Sequence, residues 1–311
     1  MNAVFSHNDL LEAAFSMNRM EYVKTLLKNH IFDLDTISYL ATESAVWDKM
    51  DFLKLFCQYG AKVEPRAFNV SGQNGNYDIV KLLFSMPVRD DLMNGCGYSA
   101  AEHGYFEIVE FLIDSGMDVN INDGMLIDFA VSYEDVESVK ILLERGIDIN
   151  LGDRRCRARS LLARAASTGN IELVDIFIGL GVDVKNDEMA VKDATNYGHL
   201  KILKMLIEHG ADPYVDGVYP YKYACRHGHL DIVKYLDEIG VGEKAWIDIS
   251  LCWASSMGRI SIVQYLIENK VIAKKHINRA LMYALDHEEP IVANYLKSKG
   301  ARYDGTIVHR R

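Results

Sequence analysis

A phrase of about thirty residues recurs along the whole chain, and this period constrains the fold more than any other feature. In the clearest copy, Tyr223–Gly240, a pair of small residues is followed by a glycine, an apolar stripe and a second glycine. Anchoring each copy on the second residue of its Ile-Val pair gives ten anchors: Val23, Leu53, Val80, Val109, Val139, Val174, Leu203, Val233, Val263 and Ala293. Successive anchors are 30, 27, 29, 30, 35, 29, 30, 30 and 30 residues apart. The period predicts a stacked array of small helical units.

Each position of the phrase has a physical role in a helix–turn–helix unit. Apolar residues at offsets −1, 0, +3 and +4 from the anchor form a stripe along a helix, which suits a helix with neighbours before and behind. Five residues before the anchor, six copies have Gly, and the other four have Asn18, Asp48, Glu134 and Glu288. Seven copies have Gly seven residues after the anchor. Both glycines predict backbone with positive φ, at the turn and at the helix end.

Two copies depart from the apolar stripe. Ser138 stands one residue before its anchor, and Asp237 stands four residues after its anchor. We interpret both as local faults that are tolerated at the margin of the stripe.

Composition excludes several classes of protein. The chain has 311 residues and a formal net charge of −10, which disfavours unaided binding to nucleic acid or to an anionic membrane. Its five cysteines are scattered and form no CxxC pair, so we expect reduced thiols and a cytoplasmic location. We find neither an apolar run of transmembrane length nor a secretory signal.

The repeated phrase resembles the ankyrin repeat. The resemblance is carried by Gly228-His-Leu-Asp-Ile-Val-Lys-Tyr-Leu236 and by Gly210-Ala-Asp212, and it covers essentially the full chain. It implies an all-α ankyrin-repeat solenoid of about ten helix–turn–helix units, whose concave face and finger tips bind another protein. The usual ankyrin period is about 33 residues, so the shorter period here predicts shortened fingers. The clipped repeats, rich in Tyr and Asn, also resemble those of ankyrin proteins from large DNA viruses that infect amoebae.

The domain prediction is a single repeat domain over residues 1–311. Residues 1–17 are expected to form an N-terminal cap and the first helix, and residues 301–311 a C-terminal tail. The last copy has Ala293 at its anchor and Lys297 beside it, which is typical of a terminal repeat with a polar outer face.

The residues just before the turn between the two helices are the first candidate binding surface. In the family they face the concave side, and here they vary from copy to copy while the frame residues do not. Tyr, Trp, Arg and His are good interface anchors. The candidates are Trp47, His103, Tyr133, Tyr197, Arg226 and His227. The alternative is an idle surface shaped by drift.

A cluster of arginines is the second candidate. Arg154, Arg155, Arg157 and Arg159 lie in the longest step of the array, from Val139 to Val174, within an otherwise acidic chain. Insertions in repeat proteins map to loops on one face, often the binding face. The cluster could bind an acidic protein segment, a phosphopeptide or, less readily, nucleic-acid phosphate. The alternative is a solvated loop.

No catalytic or metal site is predicted. The chain has no G-x-S-x-G elbow, no phosphate-binding glycine loop and no H-E-x-x-H motif. Cys225 and the His227-Gly-His229 phrase do not have tetrahedral ligand spacing, so we interpret these histidines as structural. We therefore predict a non-catalytic module without cofactor that binds an unidentified protein partner, with no nucleic acid and no membrane involved. The alternatives are a substrate adaptor for a ubiquitin ligase and a structural component of a larger viral assembly; the sequence does not indicate the oligomeric state.

Overall fold

The computed structural model of the chain describes residues 6–86, 90–151, 159–243 and 247–303. In these residues there are twenty α-helices, one short 3₁₀ helix and no β-strand, which confirms the predicted all-α class. The helices form ten pairs, and each pair has a first helix, a tight turn and a second helix. None of the helices in the described ranges has the length and apolar character needed to cross a membrane.

The chain divides into two compact units, Met1–Gly152 and Asp153–Arg311, with five helix pairs in each. A single repeat domain over 1–311 stays a prediction. In unit 1 the pairs are α1 (His7–Ser16) and α2 (Met20–Asn29), α3 (Leu34–Val46) and α4 (Met50–Gln58), α5 (Pro65–Gln73) and α6 (Tyr77–Phe84), α7 (Asp90–Glu102) and α8 (Phe106–Asp114), and α9 (Ile121–Ser132) and α10 (Val136–Glu144).

Unit 2 repeats this arrangement, so throughout the chain odd-numbered helices are first helices and even-numbered ones are second helices. Its pairs are α11 (Leu161–Thr168) and α12 (Ile171–Gly179), α13 (Glu188–Asn196) and α14 (Leu200–Glu208), α15 (Tyr219–His227) and α16 (Leu230–Glu238), α17 (Ile247–Ser256) and α18 (Ile260–Asn269), and α19 (Lys274–Asp286) and α20 (Pro290–Ser298). The 3₁₀ helix Val241–Glu243 follows α16. The loops between pairs are as short as residues 30–33 and 270–273, in keeping with shortened fingers.

Short polar side chains start several first helices. The Asp33 carboxylate accepts a hydrogen bond from the Thr36 amide at 2.6 Å, and the Ser160 hydroxyl accepts one from the Ala163 amide at 2.9 Å. Asp187 does the same for Ala190 at 3.1 Å. These bonds satisfy amides that have no partner inside the helix, and they fix where each first helix begins.

Each second helix contributes a stripe of large apolar side chains to the core of its unit, beside buried residues of the first helices. Every anchor residue is at most 2% exposed, and the residue three positions after it is buried in all ten copies. The +4 position is only half-buried in most copies, so the buried stripe is narrower than the sequence suggests. Burial of an aliphatic side chain stabilises by about 1.5–3 kcal/mol, and the anchors therefore carry much of the stability of the array.

Small residues allow neighbouring first helices to approach closely. The pairs Ala100-Ala101, Ala165-Ala166 and Ala224-Cys225 are all fully buried. At the equivalent position of α5, a Cβ on Gly72 would lie 2.5 Å from the carbonyl oxygen of Cys96 in α7. Burial raises the pKa of the Cys225 thiol, and the four described cysteines, Cys57, Cys96, Cys225 and Cys252, are free thiols. Cys156 lies outside the described residues.

The turn between paired helices has the same backbone conformation whether or not it contains glycine. Where the sequence lacks Gly, the residues Asn18, Asp48, Glu134 and Glu288 have φ values of 57°, 54°, 57° and 57°. Asn and Asp tolerate this left-handed region, whereas Glu does not and is held there by the surrounding repeat. The turn geometry is therefore set by the packing of the two helices, and two of the ten copies carry local strain.

Replacing Glu134 by Gly should stabilise the chain by about 1 kcal/mol, because glycine adopts positive φ without a steric penalty. The free energy of unfolding in urea measures the effect. The matched control is Glu137→Gly inside α10, which should destabilise by about 1 kcal/mol. Equal destabilisation by both changes would contradict the assignment of strain to Glu134.

The sequence pattern suggests that Asp237 is a polar residue merely tolerated at the margin of the apolar stripe. The structure corrects this, because Asp237 is the centre of a polar cluster. Its carboxylate accepts hydrogen bonds from Lys270 Nζ at 2.6 Å and Tyr265 Oη at 2.8 Å, with Tyr221 Oη at 3.4 Å. Burial first, and then the bond to Asp237, raise the pKa of Tyr265 to about 12. Ser138 is likewise used: its amide and hydroxyl both bond to Asp135 at the start of α10.

Candidate interaction surface

The exposed side of the first helices forms the candidate surface in each unit. We number the first helix backwards from the turn residue, which is the residue five positions before each anchor, for example Gly198 or Gly228. The positions −9, −5 and −1 lie on one side of the helix because they are spaced four residues apart. We call this side the first-helix surface. Three of the predicted residues occupy the −1 position and are largely exposed: Trp47 at 66%, Tyr133 at 52% and Tyr197 at 54%.

In unit 1, neighbouring polar groups orient two of the predicted residues. The Trp47 indole Nε1 donates a hydrogen bond to Glu43 at 2.8 Å, and Glu43 pairs with Arg66 of the next first helix at 3.1 Å. His103 Nδ1 lies 2.9 Å from the Ser99 carbonyl oxygen. These bonds hold the two side chains against their own helices while leaving them exposed.

Tyr133 spans two repeats of unit 1. Its hydroxyl donates a hydrogen bond to the Glu102 carbonyl oxygen at 2.9 Å, and its ring packs edge-on against Phe106 with centroids 6.3 Å apart. A Cβ on Gly104 would lie 3.2 Å from the same ring. Tyr133 therefore has a structural role as well as an exposed face.

In three successive repeats of unit 2, the residue directly after the turn contacts a backbone carbonyl of the preceding repeat. His199 Nε2 lies 3.2 Å from the Ser167 carbonyl oxygen, and His229 Nε2 lies 3.0 Å from that of Asn196. Arg259 takes the same place in the next repeat and donates from Nε to the Arg226 carbonyl oxygen at 3.2 Å. These carbonyls end first helices and lack partners inside them. The histidine directly after the turn glycine, His199 in one repeat and His229 in the next, thus has a capping role. Among the described residues there is no cluster of three or more His, Cys, Asp or Glu that could hold a metal ion.

Unit 2 brings Arg226 and His227 together with aromatic residues of α15 and α17. Tyr219 and Tyr223 stack with ring centroids 3.7 Å apart, and Trp253 meets the Tyr223 ring edge-on at 5.4 Å. The Arg226 guanidinium lies over both Tyr223 and Trp253, at 5.9 and 5.5 Å from the ring centroids. Such cation–π contacts hold the guanidinium in place while leaving its hydrogen-bond donors available.

His227 lies at the turn end of the same helix. Burial, followed by the nearby His229, Arg226 and Arg259, lowers the pKa of its imidazole below the ordinary value of 6.5. His227 is therefore neutral at neutral pH, and the positive charge here belongs to Arg226. In the preceding repeat, the Tyr197 ring stacks on that of His199, with ring centroids 6.4 Å apart.

Sequence reasoning missed the −5 position of unit 2. Tyr223, Trp253 and Tyr283 occupy it in three successive repeats, with Arg279 over the Tyr283 ring at 5.9 Å. The signal was the i, i+4, i+8 spacing of Tyr219, Tyr223 and His227, which places rings on the side of the helix away from its small buried pair.

The arginine cluster is described only at its last member. Arg159 Nη2 forms an ion pair with the Asp193 carboxylate of α13 at 3.1 Å. This guanidinium is therefore already paired with an acidic group of the chain itself. Arg154, Arg155 and Arg157 lie outside the described residues.

Asp193 is a buried carboxylate whose charge is only partly compensated. It is 1% exposed, and burial raises its pKa above the ordinary value of 3.8 in spite of Arg159. A raised folded pKa means that the contribution of Asp193 to stability is complete below the unfolded pKa and is lost as pH rises through the folded one. We therefore expect the stability of Asp193→Asn, relative to the unchanged chain, to improve as pH rises from 4 to 7. Urea unfolding at both pH values tests this, and a difference independent of pH would contradict it.

A model of the ankyrin-repeat family, described as "Ankyrin repeats (3 copies)", matches residues 68–153 and 162–245, more than half of the chain. The crystal structure of the human ASB11 ankyrin repeat domain is similar, with a TM-score of 0.52 and 20% sequence identity. The match covers 66% of this chain and 98% of that domain. A comparison with curated proteins finds no match. The structural likeness supports the fold alone, and with the family match it confirms the predicted ankyrin-repeat fold.

Proposed function

The chain belongs to the ankyrin-repeat family, and on that premise we propose that it is a protein-interaction module whose first-helix surfaces bind a protein partner. Ankyrin repeats generally mediate contacts between proteins. The observation that carries the proposal is the exposure of Trp47, Tyr133 and Tyr197 at one position of the repeat, while every anchor of the frame is buried. In the family this position lies on the concave side, with the finger tips beside it.

We propose that binding depends on the shape and charge complementarity of the two surfaces, with no reaction catalysed. The ankyrin-repeat fold is generally non-catalytic, and we propose that this chain acts without catalysis or cofactor. Exposed Trp and Tyr side chains concentrate affinity, because they bury much surface for few rotatable bonds, and Arg adds charged hydrogen-bond donors. The capping bonds of His199 and His229 hold successive repeats in register, so the surface is pre-organised and a partner avoids the entropic cost of ordering it.

The test is affinity capture from a lysate with two matched variants. Trp47→Ser with Tyr197→Ser removes two exposed rings from the first-helix surfaces. The control, Tyr22→Ser with Ile291→Ser, removes side chains from second helices that are 50% and 70% exposed. We expect the control to recover the same amount of the captured protein as the unchanged chain, and the first-helix variant to recover at least tenfold less. Equal recovery by both variants would contradict the proposed surface.

The identity of the captured protein separates the other readings. Recovery of ubiquitin-ligase subunits would support a substrate adaptor, and recovery of the chain alone would support a structural component of a larger assembly. The resemblance to viral ankyrin proteins and the cytoplasmic location stay predictions. The arginine cluster remains a candidate contact for an acidic segment of the partner.

A further inference from the structure

The first helices of the two units carry opposite charge. Among the residues whose side chains are described, those of unit 1 have one cation, Arg66, and eight carboxylates: Asp9, Glu12, Asp35, Glu43, Asp91, Glu102, Asp123 and Asp128. Those of unit 2 have four carboxylates, Glu188, Asp193, Asp248 and Asp286, and seven cations: Arg164, Lys192, Lys222, Arg226, Lys274, Lys275 and Arg279. The positive surface of unit 2 therefore stands out in a chain of net charge −10.

The second helices provide an internal control for this contrast. They carry five cations and eight carboxylates in unit 1, and four cations and seven carboxylates in unit 2. The excess of three carboxylates is the same in both units. The reversal of charge is thus confined to the helices that form the proposed binding surface, which argues against a general drift in composition.

Most carboxylates of the unit 2 first helices already have partners within the chain. Asp193 pairs with Arg159, Glu188 with Lys192, and Asp248 with His276 at 3.3 Å. Arg226 and Arg279 have no carboxylate within 4.0 Å in the part of the chain that the structure describes. Both guanidiniums instead lie over aromatic rings. Neither guanidinium is neutralised by a carboxylate of the described residues, so each can pair with a carboxylate of a ligand.

We propose that the Tyr223–Trp253–Tyr283 strip of unit 2, flanked by Arg226 and Arg279, binds an acidic peptide segment of the partner. This inference rests on the proposed function and names the chemistry of the segment. Arginine donors match carboxylates in geometry and charge, and half-buried rings offer apolar contact beside them. α15 contains Lys222 and Arg226 but no carboxylate, so an acidic segment meets no repulsion along it.

Single-stranded nucleic acid also combines negative charge with rings that stack. It is the weaker candidate, because tight binding needs many phosphate contacts along a continuous positive groove, whereas the strip offers two guanidiniums, Arg226 and Arg279, without a carboxylate partner among the described residues. One face of Tyr223 is also covered by Tyr219 at 3.7 Å, and its other neighbour, Trp253, meets it edge-on. A second copy of the chain could present the acidic surface of unit 1, and the test includes that outcome.

The probe is a fluorescein-labelled twelve-residue peptide, (Glu-Glu-Leu)₄, titrated with the full chain at several salt concentrations. Its charge-reversed twin, (Lys-Lys-Leu)₄, and a labelled twelve-nucleotide single strand are the comparison ligands. We expect saturable binding of the acidic peptide that weakens as salt rises, and at least tenfold weaker binding of the other two. Arg226→Gln with Arg279→Gln should weaken the acidic peptide at least tenfold and flatten its salt dependence.

The matched control is Lys201→Gln with Lys204→Gln on the second helix α14, which removes the same charge and should change binding less than twofold. Circular dichroism melting verifies that each variant is folded, and Trp253→Leu provides a charge-neutral variant that should also weaken binding. Tighter binding of the basic peptide or of the nucleotide strand than of the acidic peptide would overturn the proposal. An equal loss of acidic-peptide binding in the Lys201→Gln, Lys204→Gln control would also overturn it. The same holds if sedimentation shows that the chain self-associates in a salt-sensitive way and that this association competes with the peptide. Failure of the peptide to bind, with lysate capture still dependent on Trp47 and Tyr197, would overturn this inference and leave the proposed function standing.

Discussion

Replacing Val233 by Asp is expected to lower the free energy of unfolding by more than about 4 kcal/mol, a large share of the stability of a typical domain. Val233 is fully buried in α16, and a carboxylate there would have no described partner to offset the loss of its hydration. The side chain would either remain charged in an apolar core or disrupt the packing of the repeat to reach water. Urea unfolding followed by circular dichroism measures the change.

The matched control is Lys234→Asp, which introduces the same carboxylate one residue later on the exposed side of α16. Surface changes of this kind usually alter stability by no more than about 0.5 kcal/mol. A small loss in the control beside a large loss in Val233→Asp would support the repeat frame. Similar stability of the two variants would mean that the frame is misaligned.

Replacing Asp237 by Ala should cost about 3–5 kcal/mol, because it leaves a poorly exposed ammonium without its carboxylate. The Lys270 side chain is only 17% exposed and bonds to Asp237 at 2.6 Å. The Tyr221 and Tyr265 hydroxyls would lose the same acceptor. The expected effect is therefore far larger than that of an exposed carboxylate.

Glu238→Ala, on the neighbouring exposed residue, is the control and should be nearly neutral. Asp237→Asn, which keeps an oxygen acceptor but removes the charge, should be intermediate. Thermal melting of the three variants orders them directly. A loss for Asp237→Ala as small as that for Glu238→Ala would contradict the role of the polar cluster.

The repeat period was enough to predict the fold. Once Val109, Val174 and Val233 were aligned, the spacing of helix, turn and helix followed from the 3.6-residue period and from the glycines. The sequence could not show that Glu134 and Glu288 keep the positive φ of the glycines they replace, because packing around the turn overrides local preference. Nor could it show that Asp237 has partners, because Lys270 and Tyr265 belong to the next repeat.

The candidate surface was only partly predictable. Residues next to the turn, such as Trp47 and Tyr197, could be placed by counting from the anchor. The strip formed by Tyr223, Trp253 and Tyr283 was missed because each ring, taken alone, looks like an ordinary half-buried helix residue. It becomes a surface only when first helices of successive repeats lie side by side. The charge contrast between the first helices of the two units is likewise visible only after the charged residues have been assigned to first or second helices.

Hydrogen exchange on the chain, alone and with its captured partner, tests most directly where binding takes place. The account predicts that the partner slows exchange in first helices, above all Tyr219–His227 and Ile247–Ser256. The second helices Leu230–Glu238 and Ile260–Asn269 should change little, because their contacts already lie within the array. Protection confined to those second helices would contradict the claim that the first-helix surface binds the partner.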